Sequence, residues 1–397
     1  MTKKYALGII HADSSWRAGD RYNFNWIPDA DHIWDLDQLR ADPRPKILMI
    51  SVFNPGGEIY NIGDYSWVDL IIGVSSELCN YNLSEVQTAV NNQNVIIIAG
   101  GAGTALNNPD RTYCPLMYWV SQTFENNNYV PTTLPAQKPY LFDVLLGFNK
   151  PHRAYIFYRL FEDGLLDQSL VSIWRLNTPN FQNLSKTEAD NTFNQYFLRE
   201  LETKDFARKY GTLDGRVNFY RSPELDQLEL PEVAYPIDDP INYTSMQPTP
   251  RRSRDQPAKS LYLSQEIPTR IYDASWYSIV AETQYNLDHV FITEKTGKAL
   301  LAKRVFVLFA PRGCLKYLRS QGLQTFDGII DESYDSEPDN RKRFDQAWEQ
   351  VRLLSTLDPR EVYQRADSIL EHNYNLLPTL RNEHLKIRDF IAPWLPR

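Results

Sequence analysis

Cysteine is scarce in this chain: 397 residues hold three, Cys79, Cys114 and Cys314, too few and too scattered for a disulfide framework or a zinc site. Long apolar runs are missing as well. The longest, such as Ile47 to Phe53 and Val95 to Ala99, fall far short of the ~20 residues that a membrane-spanning helix needs. Met1-Thr-Lys-Lys-Tyr leads into a short strand pattern instead of an extended apolar segment, so no secretory leader is expected. Positive charge is not in excess either. At a formal net charge of −8 the whole chain does not advertise nucleic acid or an anionic membrane, although a local basic groove can coexist with an acidic whole. These absences predict a reduced, cytoplasmic protein.

What is present is an ordinary globular balance, 42% hydrophobic and 23% charged, over a length that exceeds one typical core, so two domains are expected. Aromatics reach 13%, with 24 Tyr and 9 Trp, a content that serves packing at most positions and favours stacking on bases and sugar faces at others. In the first part of the chain, strand patterns at Tyr5 to Ile10, Lys46 to Phe53, Val68 to Val74 and Val95 to Ala99 alternate with helix-like sequence such as Ser84 to Asn91. This spacing predicts a Rossmann-like sheet. Residues 17 to 45, rich in Trp, Asp and Pro, read as irregular. The Asn-, Pro- and Thr-rich stretch Thr123 to Lys138 reads as a linker.

Beyond the linker, a strand at Tyr140 to Leu146, a helix at Ala154 to Glu162 closed by Gly164, and a strand at Leu170 to Trp174 make a βαβ unit. Thr187 to Tyr210 is a helical candidate, and Pro223 to Pro257 is too proline-rich for a regular helix or a central strand. Thr325 to Asp331 reads as a short strand and loop, and Asn340 to Leu354, Pro359 to Leu370 and Leu376 to Trp394 read as helices. The expected organisation is a Rossmann-like domain over 1–130, a second over 139–375, and a terminal helix in 376–397.

Three polar clusters invite function in the first half. His11-Ala12-Asp13 follows the first strand, where an α/β sheet presents its ligand; His11 or Asp13 could serve as a general base, or simply cap and fill a loop. The pairs Asp29/Asp31 and Asp35/Asp37 have the D-x-D spacing of a divalent-metal site, but neither follows a strong strand, so capping is expected and no metal is predicted. Gly100 to Gly103 invites a dinucleotide reading. It lacks the third glycine and follows a late strand, which favours a tight turn and leaves a nicotinamide-dependent oxidoreductase as the rival.

The organising stretch is Tyr277 to Asp331. An apolar run, Ser278 to Ala281, ends on Glu282; a polar loop follows, and order resumes at Phe291-Ile292-Thr293-Glu294-Lys295. Thr293 is a good N-cap, Glu294 belongs in the first turn, and Val305 to Phe309 is a buried strand. Strand, loop, capped helix and strand form a second βαβ unit. Its helix start offers free N–H groups to an anion, Lys295 adds a mobile cation, and Glu294 is an acceptor suited to a pair of sugar hydroxyls. Arg153, at the start of the preceding helix, adds a second cation.

Ala281-Glu-Thr, a short loop and Phe291-Ile-Thr-Glu-Lys, with the upstream Phe148-Asn-Lys-Pro-His-Arg153, resemble the donor-binding signature of the α-1,3-fucosyltransferase family and related phage and bacterial glycosyltransferases. The resemblance covers about half the chain, its carboxyl-terminal half. One departure is Thr283, where that family has Asn, which leaves the base and the sugar open. The resemblance implies a GT-B-like α/β protein with two Rossmann-like domains facing across a cleft, and a terminal helix that returns to the first. It implies a metal-independent, inverting transfer from a UDP- or GDP-linked sugar to a hydroxyl acceptor. Lys295 and Arg153 would then hold the diphosphate, Glu294 the ribose, and Glu282 and Thr283 the sugar or ribose. The acceptor would be a glycan, a small hydroxyl compound or a hydroxymethylated pyrimidine in DNA. The last would need a basic groove, for which Arg251 to Arg254 and Lys259 are the candidates.

Overall fold

The computed structural model describes residues 3–11, 27, 29–33, 35–52, 65–75, 94–99, 110–113, 137–148, 151–174, 219–221, 267, 269–287 and 289–397. Asp13, the glycine cluster 100–103, the expected helices at 84–91 and 187–210, the proline-rich 223–257, Lys259 and most of the expected linker lie outside them.

In the first half, β1 (Tyr5–His11), β2 (Ala30–Ile33), β3 (Lys46–Val52), β4 (Leu70–Ser75), β5 (Val95–Ala99) and β6 (Thr112–Tyr113) form a sheet of order β2-β1-β3-β4-β5-β6. Every neighbouring pair in it is parallel. The continuous aliphatic runs explain this. Ile47 to Ile50 and Val95 to Ile98 are buried on consecutive residues, so both faces of these strands are covered.

The second sheet contains β7 (Tyr140–Phe148), β8 (Ser169–Trp174), β9 (Phe219–Arg221), β10 (Ser275–Ala281) and β11 (Val305–Phe309) in the order β11-β10-β7-β8-β9. Its pairs are parallel except that of β9 with β8. The described helices are α1 (Leu36–Ala41), α2 (Pro151–Glu162), α3 (Thr269–Ala274), α4 (Glu294–Leu301), α5 (Cys314–Ser320), α6 (Asn340–Thr356), α7 (Pro359–Leu376) and α8 (Glu383–Ile391). The architecture is α/β with two parallel-strand sheets. Among the described residues no helix is long and apolar enough to cross a membrane.

Several expectations need correction. The stretch 17–45 is not irregular throughout, since it holds β2 and α1. β2 carries Asp31 and His32 in four residues, too polar to show as an apolar run, and forms because β1 offers it a parallel edge. α1 is a short helix capped by Asp35, which accepts from Gln38 N at 2.8 Å. Helix α2 starts at Pro151, three residues early, because proline at the first helical position is already set at helical φ. It ends as expected at Gly164, whose φ of +66° closes a Schellman pair, Gly164 N to Phe161 O and Leu165 N to Leu160 O. The strand expected at Thr325 to Asp331 is only a bridge between Asp327 and Ile330, turned by Gly328 at φ +86°. The single terminal helix is interrupted: Pro378 cannot donate to the ladder, and 3₁₀ turns at Leu377–Asn382 and Ala392–Trp394 flank α8.

That last segment joins the two apolar clusters. Leu377 and Leu380 belong to the core around the second sheet, whereas Ile387 and Ile391 are fully buried with the residues of the first. Phe390 stacks on Tyr113 with ring centroids 5.4 Å apart, and the Arg111 guanidinium lies 4.9 Å from the Trp394 ring.

Between β7 and β10, at their amino-terminal side, a polar network is sealed into the core. Arg304 uses all five of its N–H donors there. Nη2 reaches Asp143 Oδ2 at 2.6 Å and Ser275 Oγ at 2.9 Å, Nη1 reaches the carbonyls of Tyr272 and Ser275, and Nε reaches Ser278 Oγ. Lys138 donates to the same two carbonyls, at 2.6 and 2.8 Å. Burial, with the charge of Arg304 beside it, pulls the Lys138 ammonium down to about 7.

Two outcomes follow from this network. Asp143→Ala leaves a buried guanidinium without its carboxylate and is expected to cost ~3–5 kcal/mol in urea denaturation; a loss under ~1 kcal/mol would show the pair to be dispensable. For Lys138 the folded state releases its proton near pH 7 while the unfolded chain keeps it to about 10.4. Unfolded chains therefore bind more protons in that window, and stability rises with pH across it. Lys138→Met should flatten the rise between about pH 7 and 10, as read from melting temperature against pH.

Candidate functional site

The second sheet reverses its strand order between β7 and β10. From β7 the chain passes through α2 to β8 on one side; from β10 it passes through α4 to β11 on the other. Where consecutive crossovers leave in opposite directions, open α/β sheets take a ligand outside the carboxyl ends of the two strands, which here are β7 and β10. Arg153 and the stretch Glu282 to Lys295, far apart in sequence, are brought to this place.

Glu282, directly after β10, is the hub. Its side chain is fully enclosed, and its carboxylate oxygens accept from Thr293 N at 3.0 Å, Thr293 Oγ1 at 2.5 Å, Thr296 Oγ1 at 2.5 Å and Thr283 N at 3.3 Å. Its own N–H donates to Phe309 O at the end of β11. Its carbonyl accepts from His152 Nε2 at 2.7 Å and from Arg153 Nη2 at 3.4 Å. A carbonyl can only accept, so His152 carries its proton on Nε2. One residue thus ties together the ends of β10 and β11 and the starts of α2 and α4. Glu282 was expected at the sugar or ribose; here its carboxylate oxygens are engaged by the amides and hydroxyls of its own loop and of α4.

Thr293 caps α4 as the sequence implies, in extended backbone at φ −123°, with its hydroxyl facing Lys295 N at 3.4 Å. It too is buried. Solvent reaches the next shell outward. Lys295 Nζ contacts Glu294 Oε1 at 2.6 Å, Thr283 Oγ1 at 3.0 Å and Thr293 Oγ1 at 3.4 Å, with the Lys295 side chain 24% exposed and that of Glu294 12%. Burial works to raise the Glu294 carboxyl, but the charges of Lys295 and Lys298 and the hydrogen bonds it accepts more than offset this and hold it below its ordinary value. Arg153 is buried beneath the loop, in the first turn of α2. At the end of the neighbouring strand β11, Arg312 is exposed.

The loop itself is stiffened from behind. The Tyr285 ring lies 4.7 Å from that of His152 and 5.9 Å from that of Phe344. Arg343, buried on α6, donates to Tyr285 O at 2.9 Å and to Ala310 O at 3.1 Å, joining the loops that follow β10 and β11. Sequence reading did not nominate His152, Thr296 or Arg343. Thr296 had a signal, being three residues beyond the cap and so on the same side of the first turn; the partners of His152 and Arg343 are distant in sequence and left none.

In the first sheet the reversal falls between β1 and β3, and His11, the last residue of β1, pairs in register with Ser51 at the end of β3. His11 therefore stands at that sheet's own switch point, and Asp13 lies outside the described residues. Of the acidic pairs, Asp31 is bridged to Arg44 and Asp35 caps α1. Among the described residues no three His, Cys, Asp or Glu side chains are grouped to hold a metal ion. Cys314 is buried, and burial pushes its thiol well up. Comparison of the chain with protein-family models, curated proteins and solved structures finds no match.

Removing the hub should be costly. Glu282→Ala strands the Thr293 amide and two buried hydroxyls, each worth ~1–3 kcal/mol when left unsatisfied. A loss of unfolding free energy above ~2 kcal/mol in urea denaturation, with faster exchange of the Thr293 amide, is expected; unchanged exchange would show that the cap stands without it.

Proposed function

We propose that this protein is a glycosyltransferase that binds a nucleotide sugar at the carboxyl ends of β7 and β10. It would be GT-B-like, with Rossmann-like domains built on the two sheets. The observation that carries the reading is convergence. Two βα loops, more than a hundred residues apart, meet at the switch point, bringing Arg153 and Lys295 to one loop whose backbone Glu282 holds still. The resemblance of the same residues to the donor signature of fucosyltransferases supports it independently of geometry.

Breaking the bond between sugar and nucleotide diphosphate moves charge onto phosphate oxygens. Lys295, the N–H groups at the start of α4 and the field of Arg153 stabilise that charge, and do so cheaply because the loop is fixed before the substrate arrives. Glu294 accepts from the ribose hydroxyls. Thr283, half-buried beside Lys295, faces the ligand on the sugar side. The acceptor binds over the first sheet, where His11 or Asp13 takes the proton of the attacking hydroxyl, and attack from the far side inverts the anomeric centre.

A thermal-shift screen with UDP-, GDP-, ADP- and CMP-sugars tests this, since saturation at 100 times Kd adds about 2.7 kcal/mol to apparent stability. One or more should raise the melting temperature of the native protein. Lys295→Ala should keep the unliganded melting temperature and weaken the same ligand about ten- to hundredfold. No shift with any sugar nucleotide, or a shift with NAD alone, would remove the reading.

A further inference from the structure

Glu294 and Lys295 are consecutive residues of α4, and consecutive helical side chains point about 100° apart and ordinarily do not meet. Here they meet at 2.6 Å, and the same ammonium reaches Thr283 Oγ1 at 3.0 Å. The ammonium has three hydrogens, and the three contacts to Glu294, Thr283 and Thr293 account for them. A phosphate oxygen that reaches Lys295 must therefore replace one of these partners. Two are neutral hydroxyls that hold the ammonium in place; the third is a carboxylate that competes with phosphate by charge.

We infer that the Glu294–Lys295 pair is an exchange latch, in which a diphosphate takes Lys295 from Glu294 and the carboxylate so released accepts the vicinal hydroxyls of the ribose. The inference rests on the nucleotide-sugar reading of the site and adds its selectivity. While paired, Lys295 is neutralised against free inorganic anions. Once displaced, Glu294 carries no donor and needs one, which a diol supplies and a bare pyrophosphate does not. The charge of Lys298, which does not take part in the exchange, also favours the ionised carboxylate. The two halves of the ligand are coupled through one proton-free exchange of partners: pyrophosphate breaks the ion pair and leaves the carboxylate unused, whereas a nucleoside diphosphate breaks it and uses both sides.

The test is isothermal titration of inorganic pyrophosphate, UDP and GDP into the native protein, Glu294→Gln, Lys295→Met and the double variant. Glutamine keeps the shape and an acceptor oxygen but not the charge. Glu294→Gln should bind pyrophosphate about three- to tenfold tighter than the native protein, while its nucleoside diphosphate affinity does not improve, so the preference for nucleotide over pyrophosphate collapses. Lys295→Met and the double variant should bind neither well, and circular dichroism should show all four folded alike. If the native protein binds UDP or GDP and Glu294→Gln leaves pyrophosphate affinity unchanged or weaker, the latch is overturned and the site stands. If the native protein binds neither nucleotide nor pyrophosphate, the site reading fails and the latch with it.

Discussion

The second half of this protein turns on a carboxylate that never meets solvent. Glu282 stands directly after the last residue of β10, and it uses every polar atom it has to hold three neighbouring chain segments together. A buried carboxylate is tolerable only when its oxygens are fully used, and here two threonines and two amides use them. The consequence is a helix start whose position is set by a strand end. Partly exposed Lys295 and Glu294 are presented from rigid backbone although they belong to a loop-to-helix junction.

The opposite end of the same strand pair is held by the same kind of chemistry. Asp143 and Arg304, both buried, bridge β7, β10 and the entry to β11, with Lys138 sharing the carbonyls that Arg304 uses. β7 and β10 are thus pinned near both ends by polar groups and along their length by apolar packing, the Phe142 and Tyr277 rings lying 5.7 Å apart. A crevice at a switch point gains precision from such pinning, because the strands that define its width cannot slide. The first sheet has an equivalent reversal, between β1 and β3, and receives Ile387 and Ile391 of α8 into its core. The carboxyl terminus is in this way part of the first sheet's packing as well as the second's.

Much of this was legible because it is local. The strands at Val95 to Ala99 and Val305 to Phe309 are runs of branched and aromatic residues with no competing pattern, and both appear with the bounds their composition implies. Thr293 before Glu294 is a cap that needs only the chain next to it, and the helix starts there. Elements that depend on a partner were not legible. β2 has too little apolar character to announce itself and exists as the edge of β1, while Phe326 and Ile330 look like strand residues and are instead buried from a glycine turn. Pro378 was visible, yet its effect on the terminal helix depends on which cluster each flanking turn must reach.

Periodicity, capping and composition by themselves determined an α/β chain of parallel strands, where its main βαβ units lie, and that Thr293, Glu294 and Lys295 open a helix after a strand. Only the tertiary structure decided that β7 and β10 are neighbours, that Glu282 faces inward to hold the cap while Lys295 faces out, and that His152 and Arg343 brace the loop from other elements. The reason is physical. Caps and apolar runs are settled within a few residues, whereas strand order and the partner of a buried polar group depend on which distant segments the finished core brings together.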